Sequence, residues 1–439
     1  MQHIPAKKAE SEEDSLTTPY RKPRILWASL YSLLDTSSGA AIDAREMLRQ
    51  LSFNGYDVAI AGATIFDSEN GLSRLPEQWN TNLNPDKVCK VIDTPLCHQL
   101  VITKSTNRAV ITSLELDQWY ALYVHMLDTF KPDLVYCFGG MSFDLLVPDE
   151  ARQRGIPTAF LLVNGSYQGT RWCRDVDLII TISKANAEYY RQKIGIDLTT
   201  VGIFIDPSVV QASQHTRRNL LFINPTLSKG AGVVIQLALL LEKIRPDITI
   251  EVVESRSNWP RLLNYVTTQL GSPRDHLENV LVTPHTNDMR PVYGRARVLL
   301  APSLWWECAG RVAVEAMING IPAIVTDRGG LPEMIGNAGV KIKLPEICHE
   351  KPFNKLLNSA FLEPLVKKII QFYDDELLYS EYVARAKLVA ERTHSLNSAT
   401  ERLISAFQPL TEKRAGDNMH KFVPERPHKQ EQLNESGER

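Results

Sequence analysis

Short apolar segments alternate with amphipathic segments along most of this chain, and this alternation constrains the fold more than any other feature. The apolar segments of the first half are Ile25–Leu30, Asp57–Ala61, Asp133–Cys137, Pro157–Leu162 and Asp177–Thr181. Between them, Ala40–Phe53 and Leu116–Phe130 have the apolar spacing of helices. Strands that are apolar on both faces and separated by helices form a parallel sheet covered on both sides. The first half is therefore predicted to be one α/β domain.

The same alternation starts again in the second half. Its predicted strands are Asn219–Ile223, Ile248–Val253, Val280–Val282, Val298–Ala301, Pro322–Thr326 and Val340–Ile342, with a helix at Val233–Ile244. A chain of 439 residues is too long for one compact core. We predict an α/β fold of two doubly wound, Rossmann-like domains that face each other across a central cleft.

The predicted boundaries are residues 23–205 for the first domain and 206–390 for the second. A helix over residues 391–411 is expected to cross back to the first domain. Residues 1–22 and 412–439 are polar and have little to bury, so both are predicted to be disordered tails.

Composition narrows the class of protein. Hydrophobic residues make up 44% and charged residues 23%, as in soluble globular proteins. No apolar run reaches the ~18 residues of a membrane span, and the polar N-terminus does not resemble a signal peptide. We predict a cytoplasmic protein, with association at the inner face of a membrane left open.

Charge and cysteine usage exclude two further classes of ligand. The net charge of −2, without a Lys/Arg cluster, argues against binding of nucleic acid. The six cysteines lack the spacing of metal ligands, which argues against a structural zinc site.

The segment from Trp306 to Met317 is the main candidate site. Its apolar spacing predicts a helix from Arg311, so that Gly310 opens the helix, Glu315 lies about one turn inside it and Glu307 lies in the preceding loop. Free amides at the helix start and the helix dipole favour a diphosphate there. One carboxylate can accept from ribose hydroxyls and the other from sugar hydroxyls. The segment therefore predicts a sugar-nucleotide site.

Further candidates follow other predicted strands. Ligands of doubly wound sheets bind beyond the carboxyl ends of the strands. Gly39 follows the first strand of the first domain, and Lys229-Gly230 follows the first strand of the second. We expect these loops and the Glu307 loop to face the same cleft.

In this order, the motifs resemble the retaining GT-B glycosyltransferases of family 4. The resemblance covers nearly all of residues 24–407 and is carried by Lys229-Gly230, Ala301-Pro302-Ser303, Glu307 through Glu315, Asn319–Pro322 and Gly329–Glu333. It implies that Glu307 contacts the transferred sugar and Glu315 the ribose. It also implies that the donor loop, Cys308, Ala309, Gly310, Arg311 and Val312, holds the diphosphate through the amides of its last three residues. Lys229, with Gly230, would then neutralise the leaving group, and Gly39 would lie near the donor phosphates.

Two departures from the family pattern affect the site. The family often has Gly-Arg at the end of the first donor-domain strand, where this chain has Asn224-Pro225. Arg311, Arg295 and Arg256 are the candidates for the missing charge, and Arg311 is the nearest in sequence to the diphosphate loop. Many members also have a histidine close to the transferred sugar, where this chain has Asn164. An asparagine can donate a hydrogen bond but cannot act as a general base.

The resemblance implies a hexosyltransferase-type enzyme that moves a sugar from a nucleoside diphosphate sugar to a hydroxyl acceptor with retention, without metal or cofactor. Lys229, Glu307 and Arg311 are the predicted catalytic residues. The acceptor, a saccharide, a lipid-linked molecule or a small molecule, is expected in the first domain, with Asn164 on its side of the cleft. Two alternatives stay open: a sugar-nucleotide 2-epimerase of the same fold, and a non-catalytic sugar-nucleotide-binding protein.

Overall fold

The computed structural model of this chain describes residues 21–80 and 88–417, with side chains as far as residue 412. Its strands form two separate sheets, of eight and six strands. Residues 1–20 and 418–439, which include most of both predicted tails, lie outside the described residues.

The first sheet has the strand order β3-β4-β2-β1-β5-β6-β7-β8. Its strands are β1 (Arg24–Ala28), β2 (Asp57–Ala63), β3 (Val88–Asp93), β4 (Leu96–Val101), β5 (Leu134–Cys137), β6 (Thr158–Leu161), β7 (Leu178–Thr181) and β8 (Thr199–Thr200). All pairs are parallel except β3 and β4, which are antiparallel. The sequence prediction missed this hairpin because β3 is an edge strand that interleaves polar residues, unlike the buried strands around it.

The helices of the first domain are α1 (Gly39–Phe53), α2 (Ser113–Phe130), α3 (Leu146–Gln153) and α4 (Lys184–Ile194), followed by the short α5 (Pro207–Val210). Helix α1 buries Ala44, Met47, Leu48 and Leu51, so one apolar stripe faces the sheet. Its first residue, Gly39, directly follows the loop after β1. The packing of this stripe therefore fixes the start of α1 at the carboxyl edge of the sheet.

The second sheet is entirely parallel, with the order β11-β10-β9-β12-β13-β14. Its strands are β9 (Asn219–Ile223), β10 (Ile250–Val253), β11 (Val280–Thr283), β12 (Ala296–Ala301), β13 (Ala323–Thr326) and β14 (Gly339–Ile342). Strands β9 and β12 are neighbours, so the loops that follow them meet at one edge. These loops carry Lys229 and Glu307.

The helices of the second half are α6 (Ala231–Ile244), α7 (Trp259–Gln269), α8 (Arg290–Arg295), α9 (Arg311–Ile318), α10 (Leu331–Ile335), α11 (Ser359–Asp374), α12 (Glu376–Thr393) and α13 (Leu396–Asp417). Helix α6 is buried along most of its length because it packs against the sheet, α7 and α11. Helix α9 packs against α12 and α10. These contacts hold the start of α9 at the cleft.

The two domains share apolar packing. One hydrophobic cluster extends from Ile25 through Phe204, in the segment that joins the domains, to Met317 in α9. Helix α13 returns to the first domain, where it packs against α1 and Phe407 meets the ring of Tyr136 at 5.3 Å between centroids. The chain therefore passes between the domains twice, after Ile205 and again before α13.

The ends of the fold differ from the predicted boundaries. The last helix runs from Leu396 to Asp417 rather than over residues 391–411. It continues into the predicted tail because Gln408 donates to the Glu412 carboxylate at 2.7 Å, one helical turn on. At the other end, Arg21 pairs with the Asp133 carboxylate at 2.5 Å, so the first domain begins before residue 23. No helix in the described ranges has both the length and the apolar content needed to cross a bilayer.

Candidate functional site

A cavity of about 1310 Å³ lies between the carboxyl edges of the two sheets. Nearly every residue predicted for the site lines it: Gly39, Asn164, Lys229, Glu307, Cys308, Ala309, Gly310, Arg311, Val312 and Glu315. Gly230 is the exception, because it lies behind Lys229 at the start of α6. The fold thus brings residues more than 250 positions apart to one cleft.

Lys229 and Glu307 form an ion pair at the second-domain wall of this cleft. The loop that carries Lys229 is fixed by Thr226, whose hydroxyl accepts from the Lys229 amide at 3.2 Å. The Ser303 hydroxyl donates at 2.9 Å to Glu307 Oε1, the oxygen that also contacts Lys229. Burial alone would raise the pKa of Glu307, but the charge of Lys229 and these hydrogen bonds outweigh burial and lower it. Glu307 is therefore held as a carboxylate beside a cation.

Gly230 is required by the close approach of two loops. It has a φ of +87°, and a Cβ there would lie 2.1 Å from the Pro302 carbonyl oxygen. Only glycine allows the loop after β9 to touch the loop after β12 in this way. The two residues of the Lys-Gly pair therefore have different roles. Lys229 supplies the charge that pairs with Glu307, and Gly230 permits the loop contact that brings Lys229 there.

The start of α9 faces the cavity with free backbone donors. Gly310 caps this helix with a φ of +108°, and the first amides of a helix have no partner within it. These amides belong to Gly310, Arg311 and Val312, the three predicted to hold the diphosphate. The arrangement suits an anion, because N–H donors and the helix dipole point the same way.

The glycine pair Gly329-Gly330 supports this loop from behind. A Cβ at either position would lie 2.2 Å from a backbone oxygen, that of Glu307 or that of Cys308. The Gly330 amide donates to the Glu307 carbonyl at 2.7 Å. The Gly-Gly motif thus shapes the donor loop without lining the cavity itself.

Cys308 and Ala309 are buried and link the two domains. The Cys308 thiol donates to the Asn186 side chain at 3.2 Å, and the Cys308 carbonyl accepts from the Ser183 hydroxyl of the first domain. Burial raises the pKa of the Cys308 thiol far above its usual range, and the nearby Glu307 adds to this. A thiol that stays protonated and packed is a structural group rather than a nucleophile.

The Arg311 side chain lines the cavity and has partners in both domains. Its guanidinium donates to the Glu315 carboxylate and to the Asp43 carboxylate at 2.6 Å each, and to the Phe204 carbonyl at 2.9 Å. Its predicted role beside the diphosphate stays a prediction. A buried guanidinium is stable only when carboxylates surround it, and the fold supplies one from each domain. Arg311 is a link between the domains at the edge of the cleft.

Glu315 is held rigidly by this network. Its second oxygen accepts from the Tyr293 hydroxyl at 2.5 Å, while the first accepts from Arg311. The carboxylate still lines the cavity, and each oxygen keeps a further lone pair. Asp43 is also affected: burial, only partly offset by Arg311, raises its pKa to about 6.

Asn164 lies on the first-domain side of the cavity. Its side-chain oxygen accepts from the Ser166 amide at 3.0 Å and from the Ser166 hydroxyl at 2.9 Å. This orientation leaves its amide N–H groups as the donors available to a ligand. Beside it, Gly165 packs against Trp306, whose ring stacks on Tyr189 of the first domain at 4.3 Å.

The alternative arginines also have partners. Arg295 pairs with the buried Glu251 at 2.6 Å. Arg256 donates to the Ser37 carbonyl at 2.9 Å and pairs with Asp67 at 2.7 Å, so it crosses from the second domain to the loop before α1. Sequence reasoning did not identify this bridge, because Ser37 and Asp67 carry no motif that points to it.

The loop before α1 is shaped by Asp35. Its carboxylate accepts from the Ser37 amide at 2.8 Å and from the Ser37 hydroxyl at 2.7 Å. Gly39 is exposed to the cavity, and a Cβ added there would meet no atom within 4 Å. The first amides of α1, like those of α9, have no partner within their helix, and both helix starts line the cavity.

No group of three or more His, Cys, Asp or Glu residues suited to a metal ion occurs within residues 21–80 and 88–417. The Asp-x-Asp sequence at Asp175 and Asp177 is structural. Asp175 pairs with Arg174 at 2.6 Å, and Asp177 accepts from the Thr158 amide at 2.7 Å.

Sequence comparisons connect the second domain to a known family. Residues 259–346 match the family model described as glycosyl transferases group 1. Spore coat protein SA of Bacillus subtilis is 34% identical over 128 residues, which are 28% of this chain and 33% of that protein. The putative glycosyltransferase YtcC of B. subtilis is 23% identical over 225 residues, 50% of this chain and 48% of that protein. The chain therefore matches about half, or less, of the length of these curated relatives.

Solved structures share the fold over most of the chain. A glycosyltransferase from Rickettsia africae has a TM-score of 0.64 and 14% identity, covering 89% of this chain and 99% of that one. Anabaena HepE in complex with UDP and glucose has a TM-score of 0.62 and 15% identity, covering 88% and 100%. WaaG, involved in lipopolysaccharide biosynthesis, has a TM-score of 0.58 and 16% identity, covering 88% and 99%. The predicted GT-B fold of two Rossmann-like domains is confirmed, as is the resemblance to group 1 glycosyltransferases.

Proposed function

We propose that this chain, whose second domain matches group 1 glycosyltransferases, transfers a sugar from a nucleoside diphosphate sugar to a hydroxyl acceptor. We further propose that the anomeric configuration is retained and that no metal takes part. One observation carries the proposal: the Lys229–Glu307 pair faces the open start of α9 inside an interdomain cavity. A diphosphate at the helix start would lie beside a cation, and a sugar beyond it beside a carboxylate.

The first donor to test is UDP-glucose. Anabaena HepE, which shares the fold, has been crystallised with UDP, with UDP and glucose, and with UDP-glucose. In this chain, Glu315 offers oriented carboxylate oxygens at the cavity wall. A ribose that donates its hydroxyls to Glu315 is the binding mode we propose for the nucleoside.

The proposed reaction breaks the bond between the anomeric carbon and the diphosphate oxygen. Negative charge then builds on the diphosphate, where the amides of α9 and the Lys229 ammonium stabilise it without having to reorganise. The acceptor oxygen bonds to the anomeric carbon on the face the diphosphate leaves, and its proton passes to a departing phosphate oxygen. No protein nucleophile is needed, which agrees with the high pKa of the Cys308 thiol and the ion-paired state of Glu307.

The test is to incubate the protein with UDP-glucose and a panel of other sugar nucleotides and to measure nucleotide release, with and without acceptors. Release that depends on an acceptor supports a transferase. Epimerised donor without acceptor would instead identify a 2-epimerase, and tight binding without turnover a non-catalytic protein. Full activity in excess chelator is expected. Activity lost in chelator and restored by magnesium or manganese would contradict the proposed role of Lys229 and the amides as sufficient charge stabilisers.

A further inference from the structure

Three arginines of the first domain converge at one end of the cleft and are not accounted for by the donor site. Arg45 and Arg49 lie one turn apart on α1, and Arg74 ends the short helix Glu69–Arg74. All three line the cavity, together with Asp93 at the end of β3. We refer to Arg45, Arg49, Arg74 and Asp93 as the arginine cluster.

Among the described residues, the arginine cluster carries more positive than negative charge and its contacts with Asp93 are long, although Arg49 also donates to the Thr94 carbonyl at 2.7 Å. Asp93 lies 3.5 Å from Arg74, 3.8 Å from Arg45 and 4.0 Å from Arg49, all longer than a hydrogen bond. Glu46, 3.6 Å from Arg49, is the second carboxylate in contact with these arginines. Within the part of the chain that the structure describes, three positive charges thus face two negative ones.

Several buried polar atoms at this place lack a partner among the described residues. They are one terminal nitrogen of Arg45, one oxygen of Asp93 and both ring nitrogens of His98, which is fully buried. His98 Nε2 lies 3.8 Å from this Asp93 oxygen, and His98 does not line the cavity. The Arg45 nitrogen belongs to a residue that does line it, and such a buried donor is normally satisfied by a protein group, a water or a ligand. Burial and the nearby Arg74 lower the pKa of Arg45 to about 10, as expected for a cation short of counter-charge. Although burial opposes it, the neighbouring His98 and the charges of Arg45 and Arg74 lower the pKa of Asp93 to about 2, so Asp93 is one of the two negative charges.

The arginine cluster lies far enough along α1 from the proposed diphosphate position to bind a separate group. Gly39, at the diphosphate end of α1, precedes Arg45 by six residues and Arg49 by ten. At 1.5 Å per residue, these positions lie about 9 and 15 Å further along the helix axis. That span is enough to keep the charges apart from the diphosphate while both lie in one cavity.

We propose that the arginine cluster binds an anionic group of the acceptor, a phosphate or a carboxylate. Guanidinium groups bind both anions through paired N–H donors, and the group would supply the missing charge and hydrogen bonds. This proposal rests on the proposed function, because it assigns the acceptor of the same reaction. It names a class of acceptor, an anionic saccharide or a phosphate-bearing lipid headgroup.

The first experiment uses inorganic phosphate as the probe and titrates the full chain at constant ionic strength, by calorimetry. The proteins are wild type, Lys229→Ala, the double variant Arg45→Gln/Arg74→Gln and, as a control, Arg152→Gln, whose side chain is exposed outside the cleft. Two phosphate sites are expected in wild type and the control. The double variant should weaken one at least tenfold, and Lys229→Ala the other.

The outcomes separate the two proposals. Unchanged phosphate binding in Arg45→Gln/Arg74→Gln would overturn the anionic-acceptor proposal, whatever Lys229→Ala does. Unchanged binding in Lys229→Ala would instead contradict the proposed donor site. If the double variant does not fold, Arg74→Gln alone is informative, because this side chain is 43% exposed and its loss leaves no cavity.

The second experiment tests the acceptor itself. Nucleotide release from the donor is measured with acceptors matched in pairs, with and without a phosphate or carboxylate. The anionic member should be preferred, and Arg45→Gln/Arg74→Gln should raise its KM about tenfold while the donor KM stays within about twofold. Equal use of both members, or an unchanged acceptor KM, would overturn the proposal. Sedimentation with phosphatidylcholine vesicles, with and without phosphatidic acid, distinguishes a lipid-borne anion from a soluble one.

Discussion

At the scale of single residues, the ion pair between Lys229 and Glu307 is central to the proposed donor site. Each neutralises the other in the absence of donor, so binding a diphosphate must draw Lys229 into a larger set of contacts. The pair also explains why a lysine after β9 and a glutamate after β12 occur together in this sequence. Removing either one leaves the other charge partly buried and unpaired, which is costly.

Lys229→Ala should lower the turnover number by roughly 10²-fold or more, because losing a charged stabiliser of a developing anion costs about 3 kcal/mol in comparable sites. The measurement is steady-state nucleotide release at saturating donor. Lys243→Ala, which removes an exposed lysine of α6, is the matched control and should behave as wild type. Turnover within a factor of about two for Lys229→Ala would mean that this lysine only completes a turn.

The two glutamates should respond differently to loss of charge. Glu315→Gln should weaken binding of UDP itself about tenfold, because it removes the proposed ribose acceptor and loosens Arg311 and Tyr293. Glu307→Gln should leave UDP affinity nearly unchanged while lowering transfer, since its proposed partner is the sugar. Calorimetry with UDP followed by a transfer assay checks both variants. Equal loss of UDP affinity in both, or in neither, would refute the assignment.

At the scale of structural elements, the proposed donor site depends on loops that approach one another more closely than side chains allow. The loop after β9 meets the loop after β12 at Gly230, and the loop after β13 meets it at Gly329 and Gly330. Three loops from adjacent strands therefore form one rigid support for the start of α9.

Gly330→Ala should destabilise the second domain by several kcal/mol and abolish donor binding, because its Cβ would lie 2.2 Å from a backbone oxygen that cannot move alone. Gly232→Ala is the matched control. Gly232 lies in α6, and an added Cβ there meets no atom within 4 Å, so this change should stabilise by about 0.5–1 kcal/mol. Thermal unfolding of both variants provides the check. Similar melting temperatures for the two variants would show that the loops have room to adjust.

Most elements that position the site could be predicted from the sequence, because buried parallel strands are continuous apolar runs. The β3–β4 hairpin was missed, and with it the position of Asp93, since edge strands lack that signal. The donor loop could be predicted as well, because its residues are contiguous. The bond from Arg311 to Asp43 could not, because it joins residues 268 positions apart whose pairing depends on how the domains meet.

At the scale of the whole molecule, the domains are joined by polar links as well as by apolar packing. Arg311 reaches Asp43, Arg256 reaches Asp67, and the Glu333 carboxylate accepts from the amides of Lys184 and Ala185 at the start of α4. Each link pairs a charged group of the second domain with a partner in the first. The closed cleft is therefore sensitive to the charge state of its rim.

Asp43 should make stability depend on pH between about 4 and 6. Its native pKa is raised to about 6, whereas an unfolded Asp titrates near 4, so in this window the native state binds more protons. Stability from this group is present below pH 4 and falls as pH rises through 6. Wild type should thus gain about 2 kcal/mol relative to Asp43→Asn when pH falls from 6 to 4.

Melting temperatures of wild type and Asp43→Asn across this range measure the difference. Asp117→Asn, at an exposed position of α2, is the control and should follow wild type at every pH. The prediction would be contradicted if the melting temperature of wild type minus that of Asp43→Asn stays constant or rises as pH increases from 4 to 6.

The return of α13 to the first domain has a mechanical consequence. A domain joined to another by one chain segment can rotate in any direction. A domain joined at two separate points rotates mainly about the line between those points. Here the tethers are the segment after Ile205 and the residues between α12 and α13. We therefore expect opening of the cleft to be mainly a rotation about the line between these two connections. Gly39 and Gly310 would then separate along one path, so the helix starts would return to the same relative position around the proposed donor each time the cleft closes.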